Sequence, residues 1–203
     1  MCKIIKLMSI ILVIAALFSV GTLIADKQTL RNDVIRLHVV GASDSEADQN
    51  IKLLVKDAII EYIQKNLESV TSAEHAKEYL QDHLSVLKSV ADDTLKRLGS
   101  KDRTAVTLTN EKFDIRKYDT FSLPSGIYES LRVEIGKAEG RNWWCVVFPS
   151  LCLPASQEEF EDIAVSSGMN QSLAGTLSNK NEYKLRFFLL DCLGKLENIF
   201  FFS

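Results

Sequence analysis

The stretch GIYESLRVEIGKAEGRNWWCVVFPSLCLP, residues 126–154, decides the fold. Residues 127–135 alternate between apolar and polar side chains, which is typical of a strand with one buried face. Residues 143–148 are apolar on both faces, which indicates a central, covered strand. Pro149 ends this second run, because proline has no N–H to donate to a ladder. The two runs, joined by a short turn, predict a β-hairpin at the core of a sheet.

Two adjacent tryptophans, Trp143 and Trp144, lie in the second run. Successive side chains of a strand point to opposite faces, so both cannot enter the same core. We expect one to be buried and the other to be at least partly exposed. An exposed aromatic side chain is a good anchor for a binding partner.

The segments upstream of the hairpin predict two further strands and two long helices. Residues 34–40 alternate as a strand, with Arg36 and His38 on its polar side. Capping boxes within residues 43–48 and 71–74 precede two amphipathic stripes, residues 51–67 and 76–98, and a further strand follows at residues 103–109. The fold class is therefore predicted as α+β, with an antiparallel sheet of about four strands and two long helices packed on one face.

The N-terminus predicts export. Lys3 and Lys6 precede an uncharged run of 19 residues, Leu7 to Ala25, which is long enough to cross a bilayer. This segment is either a membrane anchor or a cleaved signal peptide, and the sequence does not decide between them. Both alternatives deliver the rest of the chain outside the membrane.

The chain divides into four predicted regions. Residues 1–25 are the signal peptide or anchor, residues 26–33 a polar connector, and residues 34–154 the α+β core domain. Residues 155–203 form a C-terminal segment with a loop at 166–181, a docked apolar helix or strand, and a docked tail, Phe200-Phe201-Phe202. With 203 residues and a net charge of −3, the chain suits one domain plus an appendage and does not suit nucleic-acid binding.

No catalytic or metal-binding motif is apparent. The three histidines, His38, His75 and His83, lack zinc spacing and an adjacent cysteine nucleophile. Walker, GxSxG and GxGxxG motifs are absent. We therefore expect a protein that is not an enzyme and that uses no cofactor or metal. Cys145 and Cys152 flank a proline in an exported domain, and either form a disulfide or are two buried thiols, leaving Cys192 unpaired.

The segment 142–152, NWWCVVFPSLC, resembles the stage II sporulation protein R family, as do residues 35–52 (IRLHVVGASDSEADQNIK) and 124–135. Ser150 departs from the FPPLC pattern that is common in the family. The resemblance implies a signalling protein exported from the forespore into the space between the forespore and mother-cell membranes. There it would activate a membrane-bound aspartic protease that processes pro-sigma-E. The alternatives are an exported thiol-dependent enzyme and a peptidoglycan-binding envelope protein.

Two segments are candidates for contact with the partner protease. The first is dense in aromatic side chains and contains Arg141, Asn142, Trp143, Trp144, Phe148 and Pro149. The second is the polar turn after the first strand, with Ser43, Asp44, Asp48 and Gln49. Its other interpretation is simple capping of the following helix.

Overall fold

The computed structural model describes residues 2–67, 70–150, 157–178 and 184–200. In these ranges the helices are α1 Cys2–Asp33, α2 Glu46–Leu67, α3 Ala73–Asp82, α4 Leu84–Arg97, α5 Gln157–Ser166, α6 Gln171–Leu177 and α7 Lys184–Phe200. The strands are β1 Ile35–Val40, β2 Thr104–Phe113, β3 Arg116–Lys117, β4 Ser122–Leu123, β5 Gly126–Ile135 and β6 Asn142–Phe148. The predicted α+β class, with a four-stranded sheet and an N-terminal apolar helix, is confirmed.

The main sheet has the order β2-β5-β1-β6. Strand β1 pairs in parallel with β5 and antiparallel with β6, so the sheet is mixed and not antiparallel throughout. The predicted hairpin is therefore wrong, because β1 lies between the two strands that were expected to pair. Every residue of β1 is buried, and a strand covered on both faces is favoured at the centre of a sheet.

The connection between β5 and β6 passes over the end of β1. Gly140 N–H donates to Gly41 O at 2.9 Å, and Glu139 N–H donates to Ala42 O at 3.4 Å. A Cβ on Gly140 would lie 2.3 Å from Ser43 O, so a side chain has no room at this position. The turn after β1 and the start of β6 are thus held in direct backbone contact.

Helices α2, α3 and α4 cover one face of the sheet. Their apolar stripes pack on alternate residues of β1 and β5 in a cluster that includes Leu37, Val39, Val55, Ile59, Leu87, Leu95 and Val133. The second long helix is interrupted at His83, whose backbone leaves the helical region with φ −105° and ψ 13°. A capped start of α3 was predicted with a box from Thr71 to Glu74, but the cap is one residue later, where Ser72 Oγ accepts from His75 N–H.

The C-terminal helices α5, α6 and α7 cover the other face in part. They contribute Phe160, Leu173, Leu177 and Leu190 to a second core that also contains Val146 of β6. The loop predicted at 166–181 is wrong for residues 171–177, which form α6. Asn170 Oδ1 accepts from Leu173 N–H and caps this helix.

Helix α1 continues without a break to Asp33, so residues 26–33 are helical and not an irregular connector. Leu30 is buried in the second core, and Asp26 forms an ion pair with Arg186 of α7 at 2.5 Å. The segment from Ile4 is long and apolar enough to cross a membrane. At the other terminus Phe200 is 71% exposed and is not docked, while Phe201 and Phe202 lie outside the described residues.

Candidate partner-binding site

The two segments predicted to contact a partner meet at the end of β1. Arg141 N–H donates to Asp44 Oδ1 at 2.7 Å, and the Arg141 guanidinium lies 3.6 Å from the same oxygen. Both side chains are mainly exposed. We call Asp44 and Arg141 the charged rim.

The other polar residues of the turn hold the loop in shape. Ser43 Oγ donates to Asp48, Gln49 Nε2 donates to Ser43 O at 2.8 Å, and Ser45 Oγ accepts from Asp48 N–H at 3.1 Å. These bonds match the capping interpretation for Ser43, Asp48 and Gln49. Asp44 is the member of the predicted set that remains available to a partner.

The buried side chain of Lys52 holds the two segments that carry the charged rim together. Lys52 is 5% exposed and donates to Gln49 Oε1 at 2.6 Å and to Arg141 O at 2.9 Å. Burial lowers the pKa of Lys52, and the neighbouring Arg141 adds to this effect. The ammonium group therefore ties the start of α2 to the start of β6.

The two tryptophans lie on opposite faces of β6, as expected from strand geometry. Trp143 packs against the core under α2, with Lys56 Nζ 4.9 Å from its ring centre. Trp144 packs on the other face, where the Arg116 guanidinium lies 3.6 Å from its ring centre. Both side chains are half-buried, so the expectation that one would be fully buried is wrong. Strand β6 is at the edge of the sheet, so the prediction of a central strand at residues 143–148 is wrong.

Beside Trp144 the second face of the sheet is open, forming a groove of about 450 Å³. Side chains from all four strands and from β3 line this groove, which we call the Trp144 groove. The members that carry its polar contacts are His38, Glu111, Arg116, Arg132 and Asn142. The C-terminal helices cover the same face only nearer the start of β1, around Val34 and Val146.

Four polar side chains of the Trp144 groove bond to one another. His38 Nδ1 lies 3.2 Å from both carboxylate oxygens of Glu111, and its Nε2 lies 3.0 Å from Asn142 Oδ1. Arg132 Nη1 donates to Glu111 Oε1 at 2.5 Å. The His38 ring stacks on Trp144, with ring centres 5.6 Å apart. The network therefore fixes the orientation of the tryptophan.

Glu111 carries the negative charge of this network. Its burial opposes ionisation, but hydrogen bonds from His38 and Arg132 outweigh that effect and lower the pKa of Glu111 to about 2. Burial would lower the pKa of Arg132, but its hydrogen bonds to Glu111 and Glu134 outweigh that effect and raise it. The groove thus keeps charged groups of both signs at neutral pH.

Arg36 lies next to the groove on the same face of β1. Its side chain is fully buried, and its guanidinium lies 3.8 Å from the ring centre of Phe113. Nη2 donates to Tyr118 Oη at 3.1 Å, whereas Nε and Nη1 have no partner in the described part of the chain. Burial lowers the pKa of Arg36. Stacking on aromatic rings replaces part of the hydration that the cation loses.

Two of the predicted contact residues are not available at the surface. Phe148 and Pro149 are buried, and Phe148 belongs to the core under the helices. Asn142 is exposed and its side chain bonds to His38. The sequence prediction missed Glu111, Arg116 and Arg132, although the alternation of residues 34–40 did place Arg36 and His38 on one side.

Cys145 is buried and disulfide-bonded, and Cys192 is free. The predicted partner, Cys152, lies outside the described residues, so the pairing stays a prediction. Within the ranges that the structure describes, no group of three or more His, Cys, Asp and Glu side chains could hold a metal ion.

Comparison with known proteins assigns the chain to a family. The family model for stage II sporulation protein R matches residues 31–158. The chain belongs to the stage II sporulation protein R family. A relative with that name in Bacillus subtilis (strain 168) is 32% identical over 121 residues. The alignment covers 60% of this chain and 54% of the relative, so the chain spans about half the length of the curated relative it matches. No solved structure matches the chain.

The family match contains every residue of the charged rim and of the Trp144 groove. It ends at residue 158, so helices α6 and α7 lie beyond it. The site described above is therefore built from the part of the chain that defines the family.

Proposed function

We propose that this chain is an exported intercellular signal of endospore formation. It leaves the forespore, remains in the space between the forespore and mother-cell membranes, and activates a membrane-bound aspartic protease. That protease then processes pro-sigma-E in the mother cell. Membership of the stage II sporulation protein R family and an N-terminal helix long enough to cross a membrane support this proposal.

The observation that carries the proposal is the position of the exposed site. Helix α1 leads directly into β1, and the charged rim lies beyond the opposite end of that strand. Six residues of strand extend about 20 Å. A domain held by α1 would therefore present the charged rim away from its own membrane, where a protease in the facing membrane can reach it.

The chemistry of the site supports binding more than catalysis. His38, Glu111 and Arg132 of the Trp144 groove are paired with one another, and they fix the shape of an aromatic surface. Trp144 and Arg116 are residue types that commonly supply most of the binding energy at protein interfaces. A thiol-dependent enzyme is less well supported, because Cys145 is buried and already bonded.

A matched pair of substitutions tests this proposal. Arg116→Ala removes the cation over Trp144, and Lys56→Ala removes the cation over Trp143 on the opposite face. Each stacked cation contributes about 0.5–1 kcal/mol to stability, so both variants should fold. In sporulating cells we expect Arg116→Ala to reduce pro-sigma-E processing on an immunoblot, and Lys56→Ala to leave it unchanged.

Two controls make the result interpretable. Immunoblots of the variants themselves show whether both proteins accumulate to the wild-type level. A strain that lacks the gene should not process pro-sigma-E at all. Normal processing in that strain would refute the proposed function. Normal processing with Arg116→Ala alone would show that the protease contacts a surface other than the Trp144 groove.

A further inference from the structure

Helix α7 has an apolar face that the rest of the described structure leaves uncovered. The exposed side chains on it range from 38% to 71% exposed and are Leu185, Phe188, Leu189, Leu196, Ile199 and Phe200. Their spacing of three, four and seven residues places them on one stripe of the helix. We call this stripe the outer face of α7.

The opposite face of α7 is firmly attached to the domain. Leu190 is 1% exposed, and Asp191 accepts from Ser125 N–H at 2.8 Å. At Gly194 the helix touches the backbone so closely that a Cβ would lie 1.5 Å from Ser125 O. The helix is therefore held in a fixed orientation, and the exposure of its outer face is a property of the fold.

Helix α7 lies beside the last turns of α1. Asp26 pairs with Arg186, and Lys27 pairs with Glu197 at 2.9 Å. Asp26 and Lys27 are neighbours on α1, yet their partners on α7 are separated by about 16 Å along the helix axis. Arg31, one turn further along α1, also lies 3.6 Å from Glu197, so α7 packs against α1 from Asp26 onward. Asp26 is also the first charged residue after the long apolar run of α1.

We infer that the outer face of α7 lies in the interfacial layer of the bilayer that α1 crosses. The inference rests on the proposed membrane anchoring by α1. A helix packed beside a membrane span at the point where the span leaves the lipid lies next to the membrane surface. Apolar side chains on one face of such a helix enter the boundary between head groups and acyl chains.

The charges around the outer face fit a lipid surface. Lys195 borders the stripe and is well exposed, and it forms an ion pair with Asp191 at 2.8 Å. Along the outer face itself, the described side chains carry no charge. An exposed apolar stripe of this size is rare on a monomer in water, because apolar surface in contact with water is costly. Contact with lipid removes that cost.

This attachment has a consequence for the signal. A single helix leaves the domain free to rotate and tilt on its anchor, whereas two contacts with the membrane fix its orientation. The end of the sheet that carries the charged rim then points away from the membrane of origin. Helix α7 thus acts as a positioning element for the proposed receptor-binding site.

Fluorescence quenching in vesicles tests the inference with the full chain. Protein with Phe188→Trp is reconstituted into phosphatidylethanolamine and phosphatidylglycerol vesicles with or without bromine in the upper acyl chain. The emission of wild-type protein, from Trp143 and Trp144, is subtracted. We expect the added tryptophan to lose most of its emission in brominated vesicles.

Two further variants serve as references. Leu12→Trp, in the middle of the apolar run, reports insertion of α1 in vesicles brominated near the ends of the acyl chains. Leu98 is 41% exposed and precedes the loop that leads into β2, whose start lies at the end of the sheet far from α1. Leu98→Trp should therefore lose no emission. If Leu12→Trp is quenched and Phe188→Trp behaves like Leu98→Trp, the inference fails while anchoring by α1 stands.

Each of the remaining outcomes also supports or overturns the inference. Absence of quenching at both position 12 and position 188 would overturn the inference together with membrane anchoring. An unquenched Phe188→Trp in a protein that forms dimers would assign the outer face to a second copy of the chain, and this too would overturn the inference. Quenching at position 188 without quenching at position 12 would show lipid contact without an inserted α1, and would overturn the inference as stated.

Discussion

Replacement of Glu111 by glutamine tests whether the network in the Trp144 groove has the electrostatic role that its geometry indicates. The pKa of Glu111 is lowered from 4.5 to about 2 in the folded chain. A group with a lowered pKa stabilises the fold at pH values above its unfolded pKa, and this contribution is lost as pH falls through the folded pKa. The relevant window therefore runs from about pH 4.5 down to about pH 2.

The size of the effect follows from the shift. Each unit of pKa difference corresponds to about 1.4 kcal/mol, so the shift sets an upper limit of about 3 kcal/mol at neutral pH. The Glu111 side chain is 14% exposed, so solvent screening reduces this value only in part. Between pH 7 and pH 3 we expect wild-type protein to lose about 2 kcal/mol more stability than Glu111→Gln.

The assay is urea unfolding of the full chain in detergent micelles, followed by tryptophan emission, for both proteins at both pH values. Other carboxylates titrate equally in the two proteins, so the difference isolates Glu111. Glu139→Gln, at an exposed position in the β5–β6 connection, is the control and should follow the wild type. Equal pH dependence of the wild type and Glu111→Gln would refute the account of the network.

Two further expectations concern the framework around the site. In non-reduced, alkylated protein, mass spectrometry should find Cys145 joined to Cys152 and Cys192 alkylated, and a different partner for Cys145 would contradict the predicted pairing. Gly194→Ala should lower the free energy of unfolding by about 1–3 kcal/mol, because a methyl group has no room against Ser125. Gly21→Ala, with open space around it, is the matched control, and equal melting temperatures for the two variants would show that α7 does not pack as described.

Local patterns in the sequence predicted the elements of the core domain. The alternation in residues 34–40 predicted β1 and its two faces, and hydroxyl–carboxylate spacing predicted the start of α2 and, within one residue, that of α3. Each of these signals depends only on residues that lie within a few positions of one another in the chain. Helix α6 was missed because the composition around residues 166–181 is rich in serine, glycine and asparagine, and Leu173 and Leu177 are the only large apolar residues on its buried side.

Long-range pairing was not predictable from such signals. The turn between β5 and β6 favoured a hairpin, and nothing within those segments showed that β1 inserts between them. The Trp144 groove depends on this insertion, since it brings His38 of β1 between Arg132 of β5 and Trp144 of β6. Glu111 reaches the same place from β2. Each residue is unremarkable in its own segment, and their proximity follows only from the strand order.

The most direct test of the central claim is reconstitution with purified components. The membrane-bound aspartic protease is placed in vesicles with pro-sigma-E on one side, and this protein is added on the other. The account predicts that cleavage of pro-sigma-E begins only when this protein is present, and that Arg116→Ala at equal concentration is less effective than Lys56→Ala. Cleavage at the same rate with and without the protein would contradict the claim.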